Sequence, residues 1–220
     1  MAAAADAGRR PGRGAGPTLR AVGEDAVLVE LGTVEEVAAL YATLLARRDE
    51  LPAITEIVPA ARTVLLDGVA DRTALARTLR GWTIPELPPA EGPSVEIPTV
   101  YDGADLADVA ARWDVSPEAA VRIHTAPEYR VAFCGFAPGF GYLTGLPERY
   151  HLPRRATPRT AVPSGSVALA GPFTGVYPRS SPGGWHLLGR TSAVLWDTAR
   201  DPAALLAPGV RVRFTAVTDG

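Results

Sequence analysis

The sequence predicts an α+β protein in two parts: an N-terminal two-layer α/β sandwich over residues 18–85 and a mainly-β barrel or sandwich over 94–220, joined by a linker at 86–93. Three observations predict it. Amphipathic helical periodicity with clear start signals is confined to the first part and to two short stretches just after the linker. The piece Glu86-Leu-Pro-Pro-Ala-Glu-Gly-Pro is too rich in proline to continue a helix or a central strand. From Tyr129 onward helical periodicity disappears, and short apolar runs alternate with Gly/Pro loops, as in closed β architectures.

Residues 1–17, MAAAADAGRRPGRGAGP, lack an apolar core and place arginines after alanines, so they read as a disordered tail on a cytoplasmic protein rather than a secretory signal. Strands are expected at Thr18–Ala21 and Ala26–Leu31. A helix follows from Val34 to Arg48, because Thr33 and Glu36 have capping-box spacing and Val34, Val37, Leu40, Tyr41, Leu44 and Leu45 share one face. Strands at Glu56–Val58 and Thr63–Leu66 and a helix from the Asp71 cap to Gly81 complete a ββαββα unit. Beyond the linker come a strand at Ser94–Tyr101 and helices at Asp105–Trp113 and Pro117–His124, the second opened by Ser116, Pro117 and Glu118. Further strands are expected at Tyr129–Phe133, Ser166–Ala170, Trp185–Leu188, Ala193–Trp196 and Val210–Ala216.

Composition removes several functions. A net charge of −2 gives no global attraction to nucleic acid, and no apolar window is long enough to span a membrane. The lone cysteine, Cys134, permits neither an internal disulfide nor a zinc cluster. The chain contains no lysine, so it supplies neither a Walker A phosphate loop nor a pyridoxal Schiff base.

The stretch from Phe133 to Thr191 concentrates the chemistry. It holds ten Gly, eight Pro and six Arg against a single carboxylate, Glu148, a local charge of +5 in a chain that is otherwise −7. Glycine and proline in that density prescribe an unusual backbone path, and arginines on pinned loops suit a carboxylate or phosphate ligand. The same arginines also suit stacking on aromatics at a barrel edge.

No complete catalytic constellation is present. Gly139, Gly141 and Gly145 form G-x-G-x-x-x-G, one residue too long for a dinucleotide fingerprint and followed by Leu-Pro-Glu-Arg rather than a helix. Ser164, Ser166, Ser180 and Ser181 lie outside any G-x-S-x-G elbow, in contexts where serine commonly forms turns. His124, His151 and His186 have no metal-ligand spacing, and His124 closes a helix, where the dipole favours a cation. Catalysis at this surface would need groups from another chain.

Five ordered blocks, G-F-A-P-G-F-G-Y-L (135–143), P-R-R-A-T-P-R (153–159), V-P-S-G-S-V-A-L-A-G (162–171), T-G-V-Y-P (174–178) and S-P-G-G-W-H-L-L-G-R-T (181–191), closely resemble the family of 5-oxoprolinase B subunits. That family is also known as allophanate hydrolase subunit 1 and includes the sporulation kinase inhibitor. Y-D-G-A-D-L (101–106) and I-H-T (123–125) extend the likeness, which runs from about Thr18 to Phe214. The resemblance implies a C-terminal cyclophilin-like barrel and a hetero-oligomer with subunits C and A that hydrolyses 5-oxo-L-proline to L-glutamate with ATP as co-substrate. It also implies carboxylate or phosphate recognition by Arg154, Arg155 and Arg159. Positioning donors would be Ser164, Ser166, Ser181, Gly183 and Gly184, with Tyr177 and Trp185 as pocket walls and no metal.

The resemblance permits two other readings: an inhibitor that docks on a sensor histidine kinase, and a subunit acting on another amide or urea derivative. Self-association also stays open. Phe173 stands where the family pattern has Gln, which would change recognition at a pocket rim, and Val210 stands where Asp is common, at a turn.

Overall fold

The computed structural model describes residues 17–85 and 93–218, which form two compact units. The expected tail, apart from Pro17, and residues 86–92 of the expected linker lie outside the described residues.

The first unit comprises β1 (Thr18–Val22), β2 (Ala26–Glu30), α1 (Val34–Ala46), β3 (Glu56–Pro59), β4 (Thr63–Asp67) and α2 (Arg72–Arg80). Its antiparallel sheet has the order β1-β2-β4-β3. The start signals act as their chemistry predicts: the Glu36 amide donates to the Thr33 hydroxyl at 3.2 Å, while the Glu36 carboxylate accepts from Gly32 and Thr33. The Ala74 amide donates to Asp71 at 2.9 Å. Val37, Leu40 and Leu44 of α1 pack with Val29, Val64, Leu66 and Leu75 in one core. Leu45, expected on that face, is exposed, because it sits at the edge of the apolar stripe in the last turn.

The second unit comprises β5 (Ser94–Thr99), α3 (Leu106–Arg112), α4 (Pro117–Thr125), β6 (Tyr129–Cys134), β7 (Gly141–Thr144), β8 (Arg159–Val162), β9 (Ser166–Ala170), β10 (Phe173–Val176), β11 (Ser181–Gly183), β12 (His186–Arg190) and β13 (Arg211–Ala216). Seven strands form one sheet in the order β12-β9-β10-β7-β6-β13-β5. The two ends of that order meet: Val100, just past β5, exchanges hydrogen bonds of 2.9 and 2.8 Å with Arg190 at the end of β12. The sheet is thus a nearly closed barrel, antiparallel except for the β13–β5 pair.

Gly103 lies against β12 so closely that a Cβ would stand 2.3 Å from the carbonyl carbon of Leu188. Only glycine lets the chain pass there. Ala193–Trp196 is not a strand; its only pairing is an isolated Trp196–Ala204 bridge. Four strands were not anticipated, β7, β8, β10 and β11, each of three or four residues and rich in Gly, Pro or Thr.

The barrel carries two apolar layers. Val131, Leu143, Val167, Leu169, Val212 and Phe214 fill the interior. On the opposite face of β9 and β12, Ala168, Ala170 and Leu187 pack beneath Phe140, Tyr177 and Trp185, next to the separate β8–β11 pair. All five residues of β9 are therefore buried, and its alternating alanines leave room for the aromatic layer. Val210 is buried in the interior rather than being a simple turn residue.

Candidate functional site

The aromatic layer opens into a cleft of about 300 Å³, at the small end of ligand-site volumes. Phe140, Tyr142, Tyr177 and Trp185 form its apolar walls, and Phe136 stands at its edge. The polar lining comes from Arg154, Arg155, Gly183 and Gly184. Six of the ten residues expected at a substrate or anion site thus meet here: Arg154, Arg155, Tyr177, Gly183, Gly184 and Trp185.

The three arginines of the block 153–159 are not equivalent. Arg155 and Arg159 both donate to the Asp105 carboxylate, Arg159 at 2.7 Å. The second Asp105 oxygen accepts the Leu187 amide at 2.7 Å. Asp105 is buried, whereas both arginines stay partly exposed. Burial pushes the Asp105 carboxyl up, but hydrogen bonds from Arg159 and the Leu187 amide, with both guanidinium charges, outweigh it and hold it below the usual carboxylate range. Arg154 is different: it is exposed and has no hydrogen-bond or ion-pair partner among the described residues. It is the uncommitted cation of the cleft.

The Gly/Pro stretch is therefore not a bare basic island. Asp105 neutralises part of it, and Asp102 pairs with Arg190 at 2.8 Å, both carboxylates arriving from outside that stretch. Sequence reasoning missed Asp105 as a site residue because only carboxylates within the stretch were weighed. The signal that could have found it was the block Tyr101–Leu106, with its two aspartates.

Backbone ties aim the Arg154 segment. His186 Nε2 lies 2.9 Å from the Pro153 carbonyl oxygen, and the Arg155 amide donates to the Gly184 oxygen at 2.8 Å. Gly183 is required by contact: a Cβ there would stand 2.3 Å from the Tyr177 hydroxyl oxygen, so β11 can cross the phenol only without a side chain. Burial raises the Tyr177 and Tyr142 hydroxyls above the ordinary tyrosine value, with the Arg154 charge opposing it in both. Both phenols are therefore neutral donors near neutral pH.

The remaining expected residues lie elsewhere. The Ser164 hydroxyl donates to the Pro178 oxygen at 3.0 Å and faces a second cleft; the buried Ser166 hydroxyl donates to the Pro163 oxygen at 2.8 Å. Both act as turn-formers. Ser181 does not line the cleft, though its hydroxyl is buried with no hydrogen-bond partner among the described residues.

His124 is fully buried. Its Nδ1 lies 2.7 Å from the Tyr101 hydroxyl and its ring packs on Tyr129 and Phe214. Burial pushes its pKa down to about 3, so it is neutral and not the cation the helix end suggested. Phe173 does not line the cleft either. Its ring stands edge-on to Phe133 and Tyr142, behind the wall rather than at the rim.

None of the described residues lining the cleft is a carboxylate, imidazole, thiol or serine. No group of three or more His, Cys, Asp or Glu suited to a metal occurs among the described residues, and no helix there is long and apolar enough to cross a membrane.

Comparison with known proteins adds four findings. The carboxyltransferase domain family, subdomain C and D, matches residues 17–206. Over 208 residues the chain is 44% identical to the 5-oxoprolinase B subunit of Escherichia coli O157:H7, covering 90% of this chain and 95% of that protein. Among solved structures, TTHA0988 superposes with a TM-score of 0.74 at 36% identity, over 90% of this chain but 40% of its own length. PH0987 of Pyrococcus horikoshii, described as a conserved uncharacterized protein, superposes at 0.56 and 32% identity over 92% of this chain and 98% of its own.

Proposed function

The chain belongs to the carboxyltransferase domain family, subdomain C and D, and within it to the 5-oxoprolinase B subunits; from that membership we propose that it is the B subunit of an ATP-dependent 5-oxoprolinase. In this reading it works with subunits A and C to hydrolyse 5-oxo-L-proline to L-glutamate, in the cytoplasm, and has no turnover by itself.

One observation carries the reading: the cleft joins an unpartnered arginine to aromatic walls and neutral phenols, yet none of its described lining residues is a carboxylate, imidazole, thiol or serine that could serve as general base or nucleophile near neutral pH. That is a site for holding, with the reacting groups brought by another subunit. A small ring acid matches its size and chemistry. Arg154 binds the carboxylate, Tyr142 and Tyr177 donate toward the lactam oxygen, and Trp185 and Phe140 exclude water. Arg155 and Arg159 act on the ligand by holding the Arg154 segment and contribute residual positive field.

ATP supplies the free energy for opening an unstrained lactam. Its own binding site is assigned to another subunit. This chain has no lysine, and its G-x-G-x-x-x-G run encloses β7 and is followed by Leu146-Pro147 and a single 3-10 turn rather than by the N-terminus of an α-helix. The test is omission. Co-expressed subunits A and C should release glutamate from 5-oxoproline with ATP only when this chain is present. Inactivity of the full set, with stable capture of a histidine kinase by this chain, would replace the enzyme reading with the inhibitor one.

A further inference from the structure

We infer that Phe136 is a ligand-contacting residue whose ring covers the mouth of the cleft over a small cyclic carboxylic acid held by Arg154, an inference that rests on the reading above. Its backbone is the first argument. The Ala137 amide donates to the Gly135 oxygen at 2.7 Å across Phe136, whose φ is +67°. A three-residue turn with positive φ at its centre is rare and strained, and a bulky side chain makes it more so. Asp114, with φ of +54°, also has positive φ, but it follows the end of α3, where a short polar residue is a normal left-handed stop. Phe136 has no such explanation.

Burial does not supply one either. Phe136 as a residue is 57% exposed, so a large apolar residue held in this strained turn stays in contact with water. What the ring does touch belongs to the cleft: it stands edge-on to Phe140 at 5.3 Å and to Tyr177 at 6.1 Å, and it lines the opening. A strained, exposed aromatic at a cleft is where structure serves a ligand rather than the fold.

The ring is also preset. The Phe140 amide donates to the Ala137 oxygen at 2.9 Å and the Gly135 amide to the Phe140 oxygen at 3.2 Å. Gly139 rests so closely on Leu195 and Trp196 that a Cβ would come within 3.0 Å of the Trp196 side chain. The turn is held from both ends, so Phe136 is a fixed wall that a ligand meets, and its preset position saves the ordering cost of a mobile one. Aromatic surfaces suit a flat ring, and the single uncommitted cation suits one carboxylate, which defines the ligand class.

The test uses the complete complex with F136A and F136G, measuring steady-state turnover of 5-oxoproline and the thermal midpoint. Both variants should raise KM about tenfold with kcat changed less than twofold. F136G, free of the backbone strain, should melt no lower than the wild type. An unchanged KM in both would overturn the inference and leave the subunit reading intact, as would a midpoint that falls with KM constant. If the wild-type complex does not turn over 5-oxoproline, the subunit reading fails. Equilibrium binding of 5-oxoproline and L-proline to the full chain, followed by tryptophan fluorescence, then decides Phe136 separately. Tenfold weaker binding by F136A supports the inference; equal affinity, or no binding by the wild type, overturns it.

Discussion

Arg159 Nη2 lies 2.7 Å from the buried carboxylate of Asp105, and this contact fastens the β8–β11 layer, which carries the cleft, to the start of α3 on the barrel. Asp105 also binds Arg155 and the Leu187 amide, so a single side chain joins three segments far apart in the sequence.

Asp105→Asn should therefore destabilise the protein by about 3 kcal/mol, the low end for a broken buried pair, because both guanidiniums retain some contact with water. The loss has a defined pH dependence. The folded carboxyl titrates below its unfolded value of about 3.9, so its contribution is full above that pH and disappears as the pH falls through the folded value. Urea unfolding at neutral pH and at pH 3 checks this: the gap between wild type and D105N should be largest at neutral pH and shrink in acid. A constant gap would show that the carboxylate charge is not what stabilises the junction.

His124 gives a second, separate pH signature. Its folded pKa is about 3 and the unfolded value about 6.5, so the unfolded chain binds the extra proton throughout that window. Stability falls with decreasing pH below about 6.5, by up to about 1.4 kcal/mol per unit from this group. His124→Gln should unfold with a shallower dependence between pH 6.5 and 5. Equal slopes in the two proteins would place the imidazole in contact with solvent.

Gly183→Ala forces a methyl into the Tyr177 hydroxyl and should cost about 1–3 kcal/mol, as overpacking does. Tyr177→Phe removes the nearest clashing atom. The double variant should recover part of the stability lost in G183A, giving a favourable coupling in a double-mutant cycle. Strict additivity would mean that the strand avoids the phenol by moving.

Much of the fold was legible because the signals were local. Thr33 with Glu36, Asp71, and Ser116 with Pro117 each announce a helix start through a donor-acceptor match within a few residues, and each forms as expected. Barrel closure was not legible in the same way, because it depends on Val100 meeting Arg190 across most of the second unit. The short strands β7, β10 and β11 carry Gly or Pro, whose propensities oppose the assignment, and they are too short to show a period, so only pairing with neighbours makes them strands. In the site, the blocks 153–159 and 181–191 pointed to Arg154 and Gly183, but no local signal separated a spent arginine from an uncommitted one. That difference arises from Asp105, fifty residues from Arg155.

If Arg154 is the anion anchor of a half-site completed by other subunits, its removal must weaken substrate binding without weakening the fold. The measurement is the KM for 5-oxoproline of the complete complex carrying Arg154→Ala, set beside its thermal midpoint. The expected result is a KM at least about tenfold higher, roughly 1.4 kcal/mol of lost binding, with an unchanged midpoint because Arg154 has no partner to lose. An unchanged KM in a complex that turns over 5-oxoproline would show that the anchor lies elsewhere.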